Sequence, residues 1–178
     1  YGLVGSEMCI RDSNYYAHIA EFLRRINVTV PEIVYHDQDK GYIVMEDLGN
    51  IDLWAFRDAS WETRRDYYFK TLAMANTLHS FPIDEFPSDQ IPLMDRFGPN
   101  LYRWEQNYFL ENFIGNYCHI ELDNSKMAML NEELSGLADI LERNDKCLVH
   151  RDFQSQNVMI YNDKPVLIDF QGMRIGSP

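Results

Sequence analysis

Apolar residues recur at three- and four-residue spacing through Tyr16, Ile19, Ala20, Leu23 and Ile26, the stripe of an amphipathic helix. Asn27 and then Pro31 stop it. Ile33-Val34-Tyr35 and Tyr42-Ile43-Val44-Met45 are short β-rich runs on either side of the turn-forming Asp37-Gln38-Asp39-Lys40-Gly41, which predicts an antiparallel hairpin. Glu46-Asp47-Leu48-Gly49 breaks the second strand. Ser60 then predicts the cap of a helix running to His79, with Thr63 at its third position and Glu62 suited to its first turn.

Beyond this helix, Pro82 to Pro99 is rich in Pro, Asp and Phe and predicts a long irregular connection. Helical spacing returns over Leu101 to Tyr117. Trp104, Tyr108 and Phe109 are expected there as core residues rather than as a sugar-stacking surface. A further helix is expected over Ser125 to Leu141, with Met127, Leu130, Leu134, Leu137 and Ile140 on one face. Val158 to Tyr161 and Pro165 to Ile168 are again β-rich around Asn162-Asp163-Lys164, predicting a closing hairpin. Helix and strands, then several helices, then a hairpin fit an α+β, two-lobed architecture. Residues 1–13 have no clear period; they resemble an in-frame translation of sequencing-adapter DNA and are set aside as a non-native segment.

Composition narrows the function. A chain of 178 residues with 46% hydrophobic content can bury a core. The formal net charge of −12 argues against a nucleic acid or an anionic membrane as partner, because both are bound through clustered Lys and Arg. Cys9, Cys118 and Cys147 are too few and too scattered for a disulfide framework or a zinc site, which favours a reducing cytoplasm. No run approaches the ~18 apolar residues that span a bilayer.

The chemistry concentrates near the end of the chain, in Cys147-Leu148-Val149-His150-Arg151-Asp152-Phe153-Gln154-Ser155-Gln156-Asn157 and the hairpin that follows. With the hairpin centred on Asp163, Val158 would face Ile168 and Asn157 would face Asp169, with α-carbons ~4.5–5.5 Å apart. An amide oxygen beside a carboxylate at the open end of a hairpin suits Mg²⁺, a hard cation that takes oxygen ligands and completes its shell with water and phosphates. Asp152 lies five residues before Asn157 across a short loop, so it can reach the same cleft and accept a proton from a hydroxyl. Taken singly, His150 as a packed histidine, Asp152 as a turn cap and Asn157 and Asp169 as hairpin borders need no function. Together, at this spacing, they point to one.

The pattern of His150, Asp152 and Asn157 followed by a strand pair and Asp169-Phe170-Gln171 resembles the catalytic loop and metal motif of the kinase fold. With Gln171 in place of Gly, and Phe-Gln-Ser-Gln after Asp152, it is similar to the aminoglycoside phosphotransferase and choline-kinase-like superfamily. Within that superfamily the closest likeness is to bacterial kinases of the anomeric hydroxyl of N-acetylmuramate or N-acetylglucosamine.

The resemblance implies a protein-kinase-like two-lobed fold with a truncated N-lobe and an incomplete, mostly helical C-lobe. A partial N-lobe and hinge would span 14–49, and a partial C-lobe with the catalytic loop and metal motif 50–178. It implies Asp152 as catalytic base, Asn157 and Asp169 as Mg²⁺ ligands, and the backbone at Glu46 and Leu48 as the adenine contact. His79, where a family helix commonly ends, is expected to pack rather than react. ATP and Mg²⁺ are the implied cofactors, and a small polar hydroxyl compound, foremost an amino sugar, the implied acceptor. An aminoglycoside- or choline-type kinase and a non-catalytic kinase-like binding module are the alternatives. A Gly-rich loop and a strand lysine are not found ahead of the first helix, so the chain itself is expected to be an inactive fragment.

Overall fold

A computed structural model describes the backbone from Ser6 to Pro178 and the side chains from Asn14 onward. The expectation of a non-native segment over residues 1–13 therefore lies outside the described side chains. Helix α1 spans Ser6–Arg25 and buries Ile19, Ala20 and Leu23 of the stripe read from the sequence, together with Phe22. Asn27 ends it in the left-handed region, with φ of 64°. Its N–H donates to the Arg24 carbonyl at 3.1 Å, and the Val28 N–H donates to that of Leu23 at 2.9 Å. This is a Schellman motif: an αL residue satisfies the last carbonyls and folds an apolar side chain, here the buried Val28, back under the helix.

Strands β1 (Ile33–Asp37) and β2 (Tyr42–Met45) pair antiparallel as expected, with Asp37 opposite Tyr42. Gly41 takes φ of 67° in the connecting turn, a conformation that glycine reaches without strain. The ribbon is thinly covered, and Val34, Tyr35, Tyr42, Val44 and Met45 are exposed. Helix α2 (Trp61–His79) begins where Ser60 accepts a hydrogen bond from the Thr63 N–H at 3.3 Å. His79 is half-buried at its end.

Pro99 opens helix α3 (Pro99–Tyr108) at a position where its missing N–H costs nothing. The helix then continues as a π-helical stretch over Phe109–Tyr117, a winding that the periodicity did not indicate. Helix α4 (Asn124–Arg143) is capped by Asp123, whose carboxylate accepts from the Lys126 N–H at 2.9 Å.

One expectation about this helical region is corrected. Trp104, Tyr108 and Phe109 are not core residues, being 55%, 56% and 39% exposed. On α4, Met127, Leu130 and Leu134 are half-buried, whereas Leu137 and Ile140 face outward. Helical spacing identifies an apolar face, and only packing decides whether that face is covered.

Strand β3 (Cys147–Val149) pairs antiparallel with β6 (Arg174–Gly176), a long-range pairing without a turn signal in the sequence. Gly176 is required there, since a Cβ would stand 2.7 Å from Phe97 Cδ2. Strands β4 (Val158–Tyr161) and β5 (Lys164–Leu167) form the expected hairpin. Flanking loops hold it through Ile160 N–H to the Ile51 carbonyl (2.8 Å) and Leu167 N–H to that of Thr29 (2.9 Å). One core joins α1, α2 and these strands, with Leu148, Leu167, Phe170 and Met173 at most 1% exposed. Phe22 sits edge-on to both Phe81 and Phe86 within it.

Candidate active site

The hairpin register differs by one from the sequence expectation. Asn162 (φ 49°) and Asp163 (φ 58°) are both left-handed, which makes a two-residue turn of the type that matches strand twist. The centre therefore falls between them rather than on Asp163, and Val158 pairs with Leu167, not Ile168. Asn157 lies opposite Ile168, whose N–H donates to the Asn157 carbonyl at 3.0 Å.

Asn157 and Asp169 nevertheless meet, because Asp169 leaves the strand in the left-handed conformation (φ 61°, ψ 34°). That turn swings its carboxylate back, and Asn157 Nδ2 lies 3.3 Å from Asp169 Oδ2. Asp and Asn are the side chains other than glycine that most readily accept this backbone.

Asp152 joins them through its backbone. Its carbonyl accepts from the Gln154 N–H at 2.9 Å and from Asn157 Nδ2 at 2.8 Å, so the side chain of Asn157 closes the loop that presents the Asp152 carboxylate. Both short contacts of the buried Asn157 are made by Nδ2, and its amide oxygen has no hydrogen-bond partner among the described residues. Among the described residues no group of three or more His, Cys, Asp or Glu could hold a metal ion. One carboxylate and one amide oxygen still fit Mg²⁺, which binds through one or two protein ligands plus waters and substrate phosphates.

His150 anchors the loop from behind. It is 3% exposed, and its Nε2 lies 3.0 Å from the Ile168 carbonyl. A carbonyl can only accept, so Nε2 carries the proton and Nδ1, which has no partner among the described residues, is bare. Burial pushes the imidazole pKa down, against the raising influence of the Ile168 carbonyl and of the Asp169 and Asp152 charges.

Several further contacts at the site were not among the sequence expectations. Tyr16 of α1 lies between the end of β2 and the Asp169 turn: its hydroxyl is 3.8 Å from Met45 Sδ and its ring centroid 4.5 Å from that of Phe170. Burial, and then the Asp169 charge, push its pKa up to about 12. Gln171 Nε2 donates to Asp169 Oδ1 at 2.6 Å. Arg151 pairs with Glu105 of α3 at 3.5 Å. Arg174 is 5% exposed and donates through Nε to the Gly172 carbonyl at 3.2 Å. Burial and the neighbouring Arg151 charge lower its pKa, opposed by Glu105, Tyr15 and Asp152. The contacts of Tyr16 and of Arg151 join residues distant in the chain, which local patterning cannot place.

Glu46 and Leu48 lie just after β2. The Glu46 N–H donates to the Glu32 carbonyl at 2.8 Å, and Glu46 Oε2 accepts from the Glu32 N–H at 3.3 Å. Leu48 is buried, and its N–H makes no hydrogen bond among the described residues. The next turn is fixed by Gly49 N–H to Asp47 Oδ1 at 2.8 Å.

This mixed fold is that of kinase-like phosphotransferases. It matches the ADP-bound aminoglycoside phosphotransferase APH(2'')-Ib with a TM-score of 0.63 at 18% identity, over 95% of this chain and 57% of that one. A choline/ethanolamine kinase family protein from Mesorhizobium loti matches with a TM-score of 0.57 at 14% identity, over 92% and 50%. Residues 11–178 match the phosphotransferase enzyme family, and the chain belongs to it.

Among curated proteins, the chain is 27% identical over 150 residues to an N-acetylmuramate/N-acetylglucosamine kinase of Neisseria meningitidis serogroup B, and 23% identical over 164 residues to one of Pseudomonas aeruginosa. It spans 43% and 45% of their lengths, so it covers somewhat less than half of each.

Proposed function

We propose that the protein of which this chain forms part transfers the γ-phosphoryl group of ATP to a hydroxyl of a small polar acceptor, an amino sugar before others. The observation that carries the reading is the convergence of Asn157 and Asp169 within 3.3 Å on a loop that also presents Asp152. The amino sugar is favoured by the named activity of the two curated relatives. A transferase of this kind works by positioning and charge neutralisation more than by covalent chemistry.

Asp152 takes the proton of the acceptor hydroxyl as its oxygen approaches phosphorus. Asn157 holds the Asp152 loop closed through Nδ2, which also lies 3.3 Å from Asp169 Oδ2; its amide oxygen and the Asp169 carboxylate would hold Mg²⁺. The ion, when bound, neutralises phosphate charge. The free Leu48 N–H and the Glu46 carbonyl would pair with the adenine edge. Free thiols at Cys118 and Cys147 suit a cytoplasmic setting. Among the described residues, no helix is long and apolar enough to cross a membrane.

The test separates the roles in the full-length protein. Asp152→Asn is expected to leave Mg·ATP affinity by calorimetry unchanged and to lower turnover ~10²–10⁴-fold, the usual contribution of a general base. Asp169→Asn is expected to weaken Mg·ATP binding itself. Equal losses of ATP affinity in both variants would contradict the assignment. An acceptor panel of N-acetylglucosamine, N-acetylmuramate, an aminoglycoside and choline decides the substrate class.

A further inference from the structure

Arg151 stands directly before Asp152 with φ of 79°, a left-handed backbone that a long side chain adopts at a cost. Its side chain lies over Gly172: a Cβ on that glycine would stand 3.3 Å from Arg151 Cδ and 3.5 Å from Asp152 Oδ2. The missing Cβ thus leaves the space in which Arg151 and the Asp152 carboxylate lie side by side. At its far end the guanidinium reaches Glu105 Oε1 of helix α3 at 3.5 Å. The two side chains are 34% and 39% exposed, and ion pairs this open to solvent add little stability. The contact must therefore be weighed for what it holds in place.

We infer that Glu105 is a positioning residue for Asp152, acting through Arg151, and that helix α3 thereby sets the direction of the base. The inference rests on the reading of Asp152 as that base. If the Arg151 peptide relaxed to negative φ, the plane before Asp152 would rotate and carry the carboxylate away from its place beside Gly172. Relaxation would also pull the Asp152 carbonyl off its two donors, the Gln154 N–H and Asn157 Nδ2. An Arg151 stem laid over Gly172, with its guanidinium tied to Glu105, opposes that rotation. Arg174, bonded to the Gly172 carbonyl, stiffens the surface on which Arg151 lies. The arrangement joins helix α3 to the aim of the base.

The test uses Glu105→Gln, Glu105→Asp, Arg151→Gln and the double variant Glu105→Gln/Arg151→Gln in the full-length protein. Three readouts are taken: amide NMR signals of Gln154 and of the Asn157 side chain, Mg·ATP affinity by calorimetry, and amino-sugar phosphorylation. Glu105→Gln is expected to shift both NMR signals, to lower kcat about 10-fold, in line with the sensitivity of catalysis to small misplacements, and to leave ATP affinity and melting temperature unchanged. Glu105→Asp should recover part of the loss. The double variant should be no worse than Arg151→Gln alone, because coupled residues act as one. Unmoved NMR signals in Glu105→Gln, or losses that multiply in the double variant, would overturn the inference. If the wild-type protein phosphorylates none of the sugars, the functional reading fails on its own, and the NMR signals still decide whether Glu105 holds the loop.

Discussion

The closing hairpin with its preceding loop and the helical arm of α3, the π-helical stretch and α4 are built on opposite economies of burial. In the first, Val158, Leu167 and Phe170 are at most 2% exposed, and the polar side chain at its centre, Asn157, meets two partners. In the second, aromatic rings stack on one another in solvent. Trp104 lies 5.5 Å from Tyr108, Phe109 5.4 Å from Phe113, and Phe113 5.7 Å from Tyr117, with the last of these 77% exposed. A hollow of about 470 Å³ lies among Glu105, Tyr108, Phe109, Asn112, Phe113 and Tyr117. The hairpin region is thus a closed solution in which each group restrains the next, whereas Glu105 of the arm reaches it through an exposed ion pair with Arg151. Of the three residues in the proposed site, Asn157 lies within that packed region, while the carboxylates of Asp152 and Asp169 stand at its exposed edge.

Breaking each region should expose that difference. Phe170→Ala empties a fully buried ring site and is expected to cost ~3–5 kcal/mol, while Phe113→Ala, at a ring 47% exposed, should cost under about 1 kcal/mol. Chemical denaturation of the two variants checks this, and equal costs would erase the contrast. Asn157→Ala removes two buried contacts and leaves the Asp152 carbonyl one donor short, a loss of about 1–3 kcal/mol.

His150 sharpens the comparison through pH. Its folded pKa is lowered by burial, so below the ordinary value near 6.5 the unfolded chain binds the extra proton first. The contribution of His150 to stability is then complete above about pH 6.5 and is lost as pH falls through the lowered folded value. Thermal melts between pH 7.5 and 5 should show this acid slope in the wild type and a shallower one in His150→Gln. The smallest effect is a gain: Asp163→Gly creates the Asn-Gly pair preferred in this turn and should stabilise by about 0.5 kcal/mol. That figure allows for loss of the exposed Tyr67 hydroxyl contact to Asp163 at 3.3 Å.

What could be read from the sequence follows the range of the forces involved. The α1 stripe, the Ser60 cap, both hairpins and the grouping of Asp152, Asn157 and Asp169 are local, each set by a few neighbouring residues. The register of the second hairpin was missed by one residue because Asn-Asp-Lys permits more than one turn, and only the left-handed pair at Asn162 and Asp163 selects among them. The β3–β6 pairing joins Cys147 to Gly176 across the whole motif, and no spacing announces it. The aromatic stripe of α3 reads identically whether covered or bare, so its exposure belongs to tertiary structure alone. Tyr16, Arg151 with Glu105, and Gly172 stayed hidden for the same reason: each works by touching something distant in the chain.

The left-handed turn at Asp169 also filters heredity. With Asp169 in its proposed metal-binding role, glycine would accept the backbone and lose the ligand; asparagine would accept it and lose the charge; glutamate would keep the charge and fit the backbone poorly. A position that demands both a carboxylate and a rare dihedral leaves neutral drift almost nowhere to go. The descendants of this sequence should therefore change freely along the exposed aromatic arm and stand still at this one residue.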